Sequence, residues 1–210
     1  HVDACVGGWL APFFTRIGRS TPHFDFRFPG VRSLSADLHK FGFCPKAAST
    51  VFFRHEEDLT RSRFRHDAWP SGVIDTATLA GTRTGGSVAS AWAVLNHLGE
   101  TGYTEAALNL AKMTDGYVEG IRAIDGLKMH SDPDLTLINF GSDEFDIYLV
   151  AEQMTLRGWL AGLTSRPKGM HAMMSMLHEP SRAEFLSDLG ECVESVRSGN
   201  KTQSELKAVY

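Results

Sequence analysis

The sequence predicts an α/β fold in two parts, a larger domain over residues 1–100 and a small α+β domain over residues 101–210. Three short segments of the first part are apolar or small without clean alternation, which is typical of strands covered on both faces. A glycine-rich turn and a helical stripe end this part. Beyond residue 100, helical and strand-like segments alternate, which favours a separate α+β unit.

The predicted strands of the larger domain are short. The first covers Val2 to Val6 and stops at a pair of glycines, the second covers Ser33 to Asp37, and the third covers Ala48 to Phe53. The charged stretch from Arg54 to Ala68 is expected to form a surface helix or loop.

A helix is predicted to follow the glycine-rich segment GTRTGG. Its apolar stripe consists of Val88, Ala91, Trp92, Leu95 and Leu98. Ser87 is the expected N-cap, and Gly99 or Gly102 is expected to end the helix.

Three helices and two strands are predicted for the small domain. The first helix runs from about Thr104 to Ile124, and its apolar face carries Leu110, Tyr117, Val118 and Ile121. A strand in LTLINF, a helix through Phe145 and Met154, a strand in MHAMMSML and a last helix from Ser181 to Arg197 follow.

Composition limits the function classes. The formal net charge is −4 and no run of Lys or Arg is present, so nucleic acid and anionic membrane surfaces are not expected partners. No stretch approaches the roughly 18 consecutive apolar residues that a membrane span needs. The histidines show no metal-ligand spacing, and no metal site is expected.

The three cysteines, Cys5, Cys44 and Cys192, are odd in number and share no paired spacing. This pattern argues against a disulfide framework and against a zinc site, and it predicts a reducing, cytoplasmic location.

Asp3 is expected at the carboxyl end of the first strand, where open α/β sheets place residues that contact ligands. A carboxylate there needs a cation or hydrogen-bond donors, because an isolated buried charge is costly. The alternative is an Asp that caps a neighbouring helix or turn.

Lys40 follows the second strand in the segment SADLHK. A lysine at such a place can be desolvated, which lowers the pKa of its ammonium group and makes the amine nucleophilic toward carbonyl carbons. The alternative is a solvated lysine at a strand end. Asp37, His39 and Lys40 lie within four positions, and this clustering of ionisable groups favours a site.

The segment GTRTGG precedes a helix and combines three glycines with Arg83. Free backbone N–H groups at the helix N-terminus and the guanidinium would together suit a phosphate. Glycine-rich turns before helices are common, so this motif indicates little by itself.

In combination, the three motifs resemble one family. HVDACVGGWLAPF, FDFRFPGVRSLSADLHKFGFCPKAASTVFFR and AGTRTGGSVASAWAVLNHLGETGY are similar to the group II pyridoxal-phosphate-dependent decarboxylases, and within that group to the sphingosine-1-phosphate lyase branch with its bacterial relatives. The similarity continues through EFDIYLVAEQMTLRGW and MHAMMSMLH. The resemblance implies the C-terminal part of a fold-type I, aspartate-aminotransferase-like large domain, followed by the small C-terminal domain.

The resemblance also implies roles for individual residues. Lys40 would bind pyridoxal 5'-phosphate as a Schiff base and take part in proton transfer, and Asp3 would pair with the pyridine nitrogen. His1 and His39 match positions near the cofactor. The small residues Ala4 and Cys5 would lie under the ring.

GTRTGG resembles a loop that, in this family, reaches the active site of the neighbouring subunit. Thr82 and Arg83 would then lie near the partner's cofactor phosphate, which implies a homodimer with shared active sites.

Lys46 follows Lys40 by six residues in FCPKAAS, a spacing that the lyase branch shares. An ammonium at the active-site mouth would suit a phosphorylated substrate or an acid–base step. The alternative is a surface lysine whose stem lies along apolar neighbours.

Some positions depart from the family pattern. Thr84 stands in place of the loop proline, Leu38 stands where the lyases often have threonine, and LAGLTSRPKGMH differs from the lyase pattern. These departures leave the expected cofactor chemistry intact and the substrate open.

The expected function is a carbon–carbon lyase that cleaves a phosphorylated long-chain amino alcohol to a fatty aldehyde and phosphoethanolamine. Two alternatives are an amino-acid α-decarboxylase with the same Asp3–Lys40 apparatus, and a non-catalytic dimerising fragment. The non-catalytic alternative rests on the first residue, His1. The upstream half of the cofactor domain, with its phosphate-binding loop, is expected to lie outside this sequence.

Overall fold

The computed structural model describes residues 1–199 and 204–208, and the chain forms two compact units, His1–Ala107 and Leu108–Tyr210. Their assignment as part of a cofactor domain and a small domain stays a prediction. Among the described residues no helix is both long enough and apolar enough to cross a bilayer.

Unit 1 contains a three-stranded sheet in the order β1 (Val2–Asp3), β2 (Ser33–Asp37) and β3 (Ser49–Phe53). β1 pairs parallel to β2, whereas β3 pairs antiparallel to it. The predicted bounds of β2 are confirmed. The first strand is shorter than predicted, because the chain turns after Asp3 and Gly8 N–H donates to the Ala4 carbonyl.

The remaining elements of unit 1 are small, apart from one helix. α1 covers Ala11–Arg16, α2 covers Glu56–Ser62, and β4 (Phe64–His66) forms a hairpin with β5 (Ile74–Thr76). α3 runs over Gly85–Arg122 and continues into unit 2.

α3 begins before the predicted N-cap, Ser87, and is interrupted where the sequence predicts an end. Gly99 has φ 55° and ψ −170°, a conformation outside the helical region that glycine adopts without a Cβ clash. The predicted stripe is buried only in part: Ala91 is buried, but Val88 and Trp92 are about two-thirds exposed. Val51 and Phe52 of β3 are also exposed, so within the described residues the prediction that the strands are covered on both faces is wrong for β3.

The core of unit 1 holds the chain that follows β2. Leu38, Cys44, Ala48 and Ala91 form a buried cluster, against which Trp9, Val94 and Leu95 pack. Tyr103 lies beside it, edge-on to Trp9 and stacked with Phe13.

Unit 2 has a four-stranded antiparallel sheet in the order β6 (Lys128–Met129), β7 (Leu137–Gly141), β9 (Lys168–Met173) and β8 (Gly162–Ser165). Alternate residues of a strand face opposite sides, so Ile138, Phe140 and Met170 point together into the core.

Two helices of unit 2, α4 (Ile147–Leu156) and α5 (Arg182–Ser198), pack on each other, and α4 also contacts β9. A 3-10 helix at Met176–Ser181 precedes α5, so the predicted strand in MHAMMSML ends after Met173. The apolar residues predicted for the first helix of this unit, Leu110, Tyr117, Val118 and Ile121, are all buried.

Candidate active site

The parallel pairing of β1 and β2 brings two segments that are distant in the sequence to one edge of the sheet. Val2 lies opposite Leu34 and Asp3 opposite Ser35, and the Asp37 N–H donates to the Cys5 carbonyl at 3.0 Å. Carboxyl ends of parallel strands are where α/β sheets place reactive groups, because loops leave the sheet there.

Asp3 is exposed at the end of β1, contrary to the buried position expected from the sequence. Its Oδ1 accepts hydrogen bonds from the Cys5 N–H and from Ser35 Oγ, each at 3.1 Å. Hydrogen bonding with Cys5, then with Ser35, lowers the pKa of Asp3, so the group is a carboxylate at neutral pH. The Cys5 contact also caps the turn after β1, which was the alternative role.

Lys40 is partly buried, and its Nζ lies 2.9 Å from Cys5 Sγ and 3.0 Å from Asp37 Oδ2. The interaction with Cys5 and the Asp37 carboxylate together outweigh burial and raise the pKa of Lys40. This direction is opposite to the one expected from desolvation alone. The direction differs because the contact with Cys5, and then the Asp37 carboxylate within ion-pair distance, favour the charged amine.

Asp37 is the functional candidate that the sequence placed in the cluster but left without a role. Its side chain is 10% exposed, and Ser49 Oγ donates to its Oδ1 across the β2–β3 pair. Burial raises the pKa of Asp37, but hydrogen bonds from Ser49 and Lys40 outweigh burial and lower it. The available signal was the spacing Asp-x-x-Lys at a strand end, which brings the two side chains together when the chain turns.

Neither of the two candidate histidines forms a hydrogen bond with Lys40 in the described part of the chain; each contacts a group near the end of a strand. His39 Nδ1 lies 2.9 Å from the Ala48 carbonyl oxygen, and its Nε2 lies 3.7 Å from Asp37 Oδ2. His1 is exposed, with Nδ1 2.8 Å from Ser33 Oγ. Ala4 lies with Cys5 in the turn that follows β1.

The turn that carries Lys40 is fixed by several hydrogen bonds. The Cys44 N–H donates to the Leu38 carbonyl at 3.0 Å, and the buried Tyr103 hydroxyl donates to the Gly42 carbonyl at 2.7 Å. Gly42 is required by close approach, because a Cβ there would lie 2.6 Å from the Leu38 carbonyl oxygen. Hydrogen bonds therefore fix the backbone on the N-terminal side of Lys40, at Leu38, and on its C-terminal side, at Gly42.

Three predicted site residues are not part of this cluster. Lys46 is exposed and makes no hydrogen bond or ion pair within residues 1–199 and 204–208. Thr82 and Arg83 are exposed in the loop before α3 and, in the described part of the chain, form no hydrogen bond with Lys40, Asp37 or Asp3. Their assigned roles stay predictions.

Comparison with known proteins shows the family of this chain. The family model described as the pyridoxal-dependent decarboxylase conserved domain matches residues 1–142, which include the whole cluster and the GTRTGG loop. The chain belongs to the pyridoxal-dependent decarboxylase family.

Relatives within this family include sphingosine-1-phosphate lyases. The enzyme of that name from Arabidopsis thaliana is 38% identical over 198 residues, which cover 94% of this chain and 36% of the relative. The solved sphingosine-1-phosphate lyase of Burkholderia pseudomallei superposes with a TM-score of 0.85 at 37% identity, covering 94% of this chain and 45% of that one. This chain thus spans a little over a third of the curated relative.

A more distant structure shows the fold alone. Glutamate decarboxylase of Lactobacillus brevis superposes with a TM-score of 0.73 at 18% identity, over 96% of this chain and 48% of that one. The predicted fold class, part of a fold-type I pyridoxal-phosphate-dependent enzyme with mixed α/β structure, is confirmed.

The side chains present fit pyridoxal phosphate, the cofactor of this family. The cofactor requires a primary amine for its aldehyde and an anion for its pyridinium nitrogen. Lys40 and Asp3 supply these groups at or after the ends of two adjacent, parallel strands.

Proposed function

We propose that the polypeptide containing this chain is a pyridoxal-phosphate-dependent carbon–carbon lyase acting on phosphorylated long-chain amino alcohols. The observation that carries the proposal is the meeting of Lys40, Asp37 and Asp3 at the carboxyl ends of a parallel strand pair. Similarity to enzymes named sphingosine-1-phosphate lyase supports the substrate class.

The proposed reaction is a retro-aldol cleavage between the α-carbon and the hydroxyl-bearing carbon. One proton leaves the hydroxyl group and one is added to the α-carbon, so a fatty aldehyde and phosphoethanolamine together contain all the atoms of the substrate. When bound, the cofactor supplies the electron sink that stabilises the carbanion at the α-carbon.

Residues of this chain would perform the binding and proton-transfer steps. Lys40 would hold the cofactor and then carry a proton at its Nζ. The ionised Asp3 would keep the pyridine nitrogen protonated. Lys46, exposed and without a protein partner in the described residues, is proposed to bind the substrate phosphate as a charge-assisted contact.

Further features of the whole protein are proposed on the family resemblance. We propose a homodimer in which Thr82 and Arg83 approach the partner's cofactor phosphate, with the exposed face of α3 near that loop. His1 and His39 are proposed to orient the cofactor. A cytoplasmic location, inferred from the cysteine pattern, stays a prediction.

The test is product analysis on the whole polypeptide. A phosphorylated long-chain base should give fatty aldehyde and phosphoethanolamine, detected by mass spectrometry. Lys46→Ala should raise KM for this substrate by about tenfold or more, by loss of one charge-assisted contact. The matched control is Lys112→Ala, another exposed lysine, which should leave KM unchanged.

An α-decarboxylase is the second candidate, because the family description names that reaction and the Asp3–Lys40 pair would serve it equally. Release of carbon dioxide from an amino acid, with no aldehyde from the phosphorylated base, would replace the lyase by the decarboxylase. Failure of both reactions, together with an intact fold, would favour a non-catalytic role.

A further inference from the structure

We propose that Asp37 is a positioning residue that holds the free amine of Lys40 as an ammonium ion and thereby sets the pH range in which Lys40 reacts with a carbonyl carbon. The inference deepens the proposed function, because it assumes that Lys40 is the reactive lysine.

Hydrogen bonds hold both the backbone and the side chain of Asp37. Its backbone N–H donates to the Cys5 carbonyl beyond β1, its Oδ1 accepts the Ser49 hydroxyl on β3, and its own carbonyl accepts the Lys40 N–H at 3.3 Å. Oδ2 remains for the Lys40 ammonium, at 3.0 Å. A carboxylate held in this way fixes the position of the Lys40 ammonium when Lys40 is not bound to the cofactor.

Because the Asp37–Lys40 ion pair is largely buried, it strongly affects the protonation states of both side chains. The side chains of Asp37 and Lys40 are 10% and 26% exposed, so each charge has lost much of its hydration. Removing one partner of such a pair leaves the other charge uncompensated. Asp37 therefore favours the protonated form of Lys40, and Lys40 favours the ionised form of Asp37, as the opposite directions of their pKa shifts indicate.

Other charged and titratable groups also face this pair. Cys5 Sγ lies 2.9 Å from Lys40 Nζ, Asp3 acts on Lys40 through space, and His39 Nε2 lies 3.7 Å from Asp37 Oδ2. Cys5 and Asp3 act in the same direction as Asp37, whereas a protonated His39 would compete with Lys40 for its carboxylate. Asp37 is the only carboxylate, among the described residues, that forms an ion pair with Lys40.

The ion pair with Asp37 controls the protonation state of the Lys40 amine, and with it the reactivity of that amine. An ammonium cannot attack a carbonyl carbon, so the pair delays the reaction of Lys40 until a proton is removed. The same ammonium can donate a proton, which is the form that Lys40 needs once its nitrogen is released from the cofactor. Asp37 thus acts through Lys40 and need not touch the substrate.

Competitive acetylation of the cofactor-free whole polypeptide tests the proposal. Trace acetic anhydride labels each amine in proportion to its unprotonated fraction, and peptide mass spectrometry reads Lys40 separately from other lysines. A lysine dipeptide in the same solution is the standard. In the wild-type protein, Lys40 should reach half-maximal labelling at a higher pH than this standard.

Asp37→Asn should move the Lys40 profile to lower pH and increase its labelling near neutral pH about three- to tenfold. Asp37→Glu should restore most of the wild-type profile. The matched control is Asp58→Asn, which removes another largely buried carboxylate of unit 1, the partner of Arg32. This control should leave the Lys40 profile unchanged.

An Asp37→Asn protein that is folded by circular dichroism, but labels Lys40 as the wild type does, would overturn the proposal. If that variant does not fold, Cys5→Ala decides, because it removes the other group in contact with Lys40 Nζ and leaves Asp37 in place. Labelling of Lys40 in Cys5→Ala at or below the pH of the standard would overturn the proposal, and labelling above that pH would support it. The assay needs neither cofactor nor turnover, so its outcome is separate from failure of the lyase assignment.

Discussion

Cys5 Sγ and Lys40 Nζ lie 2.9 Å apart, although the residues are 35 positions apart in the sequence. The contact exists because β1 and β2 run parallel and the chain turns at the same edge after each of them. One thiol of this protein therefore reports on the place where Lys40 would bind its cofactor.

Alkylation should distinguish the three cysteines. Cys5 is partly exposed, whereas Cys44 and Cys192 are buried, and burial raises the pKa of both buried thiols. Since the thiolate is the reactive form, iodoacetamide should modify Cys5 first. Prior loading of the whole polypeptide with pyridoxal phosphate should slow this modification. Peptide mapping that finds Cys44 or Cys192 modified before Cys5 would contradict the geometry.

Gly42→Ala should destabilise the turn that carries Lys40. The new Cβ would lie 2.6 Å from the Leu38 carbonyl oxygen. The backbone would have to shift to relieve this clash, and that shift costs free energy. We expect a loss of about 1–3 kcal/mol in the free energy of unfolding, measured by urea titration. Gly30→Ala is the control, because a Cβ at Gly30 would meet open space within 4 Å, and its change should stay within about 0.5 kcal/mol. Equal effects of the two substitutions would refute the close-packing argument.

Asp3→Asn should affect catalysis rather than folding. Its carboxylate is exposed, and hydrogen bonds from Cys5 and Ser35 lower its pKa, so an amide removes the charge that we propose for pairing with the pyridine nitrogen. Turnover of the phosphorylated long-chain base should fall about a hundredfold or more. Asp25→Asn, which removes an acid paired with Arg27, serves as control. Turnover within twofold of wild type for Asp3→Asn would remove the assigned role.

Asp146 should stabilise unit 2 in a pH-dependent way. It caps α4 by accepting from the Tyr148 N–H at 3.0 Å, and it pairs with Lys168 Nζ at 2.6 Å. Burial raises the pKa of Asp146, but bonds from Lys168 and from the Ser204 and Tyr148 N–H groups outweigh burial and lower it. The group therefore contributes stability above the ordinary carboxyl pKa and loses it as the pH falls through its own pKa.

Asp146→Ala should cost about 1–3 kcal/mol at neutral pH, measured by urea titration, and the difference from wild type should shrink below about pH 4. Asp143→Ala removes an exposed acid that pairs with Lys128, and it should cost about 0–1 kcal/mol. A difference for Asp146→Ala that is constant from neutral to acidic pH would show that its charge does not stabilise the fold.

The sequence allowed prediction of elements whose local pattern agrees with their environment. β2 has the predicted bounds, and the buried residues Leu189, Val193 and Val196 of α5 follow helical spacing. The hairpin of β8 and β9 was only half predicted, because GLTSRPKGM contains the glycine, serine and proline typical of loops. The exposed Val88 and Trp92 show that an apolar stripe does not reveal what covers it.

At the site, the sequence predicted Lys40 as the reactive lysine, which stays a prediction, whereas its contacts favour a pKa shift opposite to the one expected from desolvation. Desolvation can be inferred from a residue's place after a strand, whereas the ion pair with Asp37 depends on how the chain turns through Leu38 and His39. That turn is fixed by long-range contacts such as the bond from Tyr103 to Gly42, which no local pattern encodes.

The central claim is that Lys40 is the lysine that binds the cofactor. Its most direct test is borohydride reduction of the whole polypeptide loaded with pyridoxal phosphate, followed by peptide mass spectrometry. We expect the pyridoxyl group on Lys40, and we expect Lys40→Ala to lose it while Lys46→Ala retains it. Attachment to Lys46 or to another lysine in the wild type, or a stoichiometric adduct that persists in Lys40→Ala, would contradict the claim.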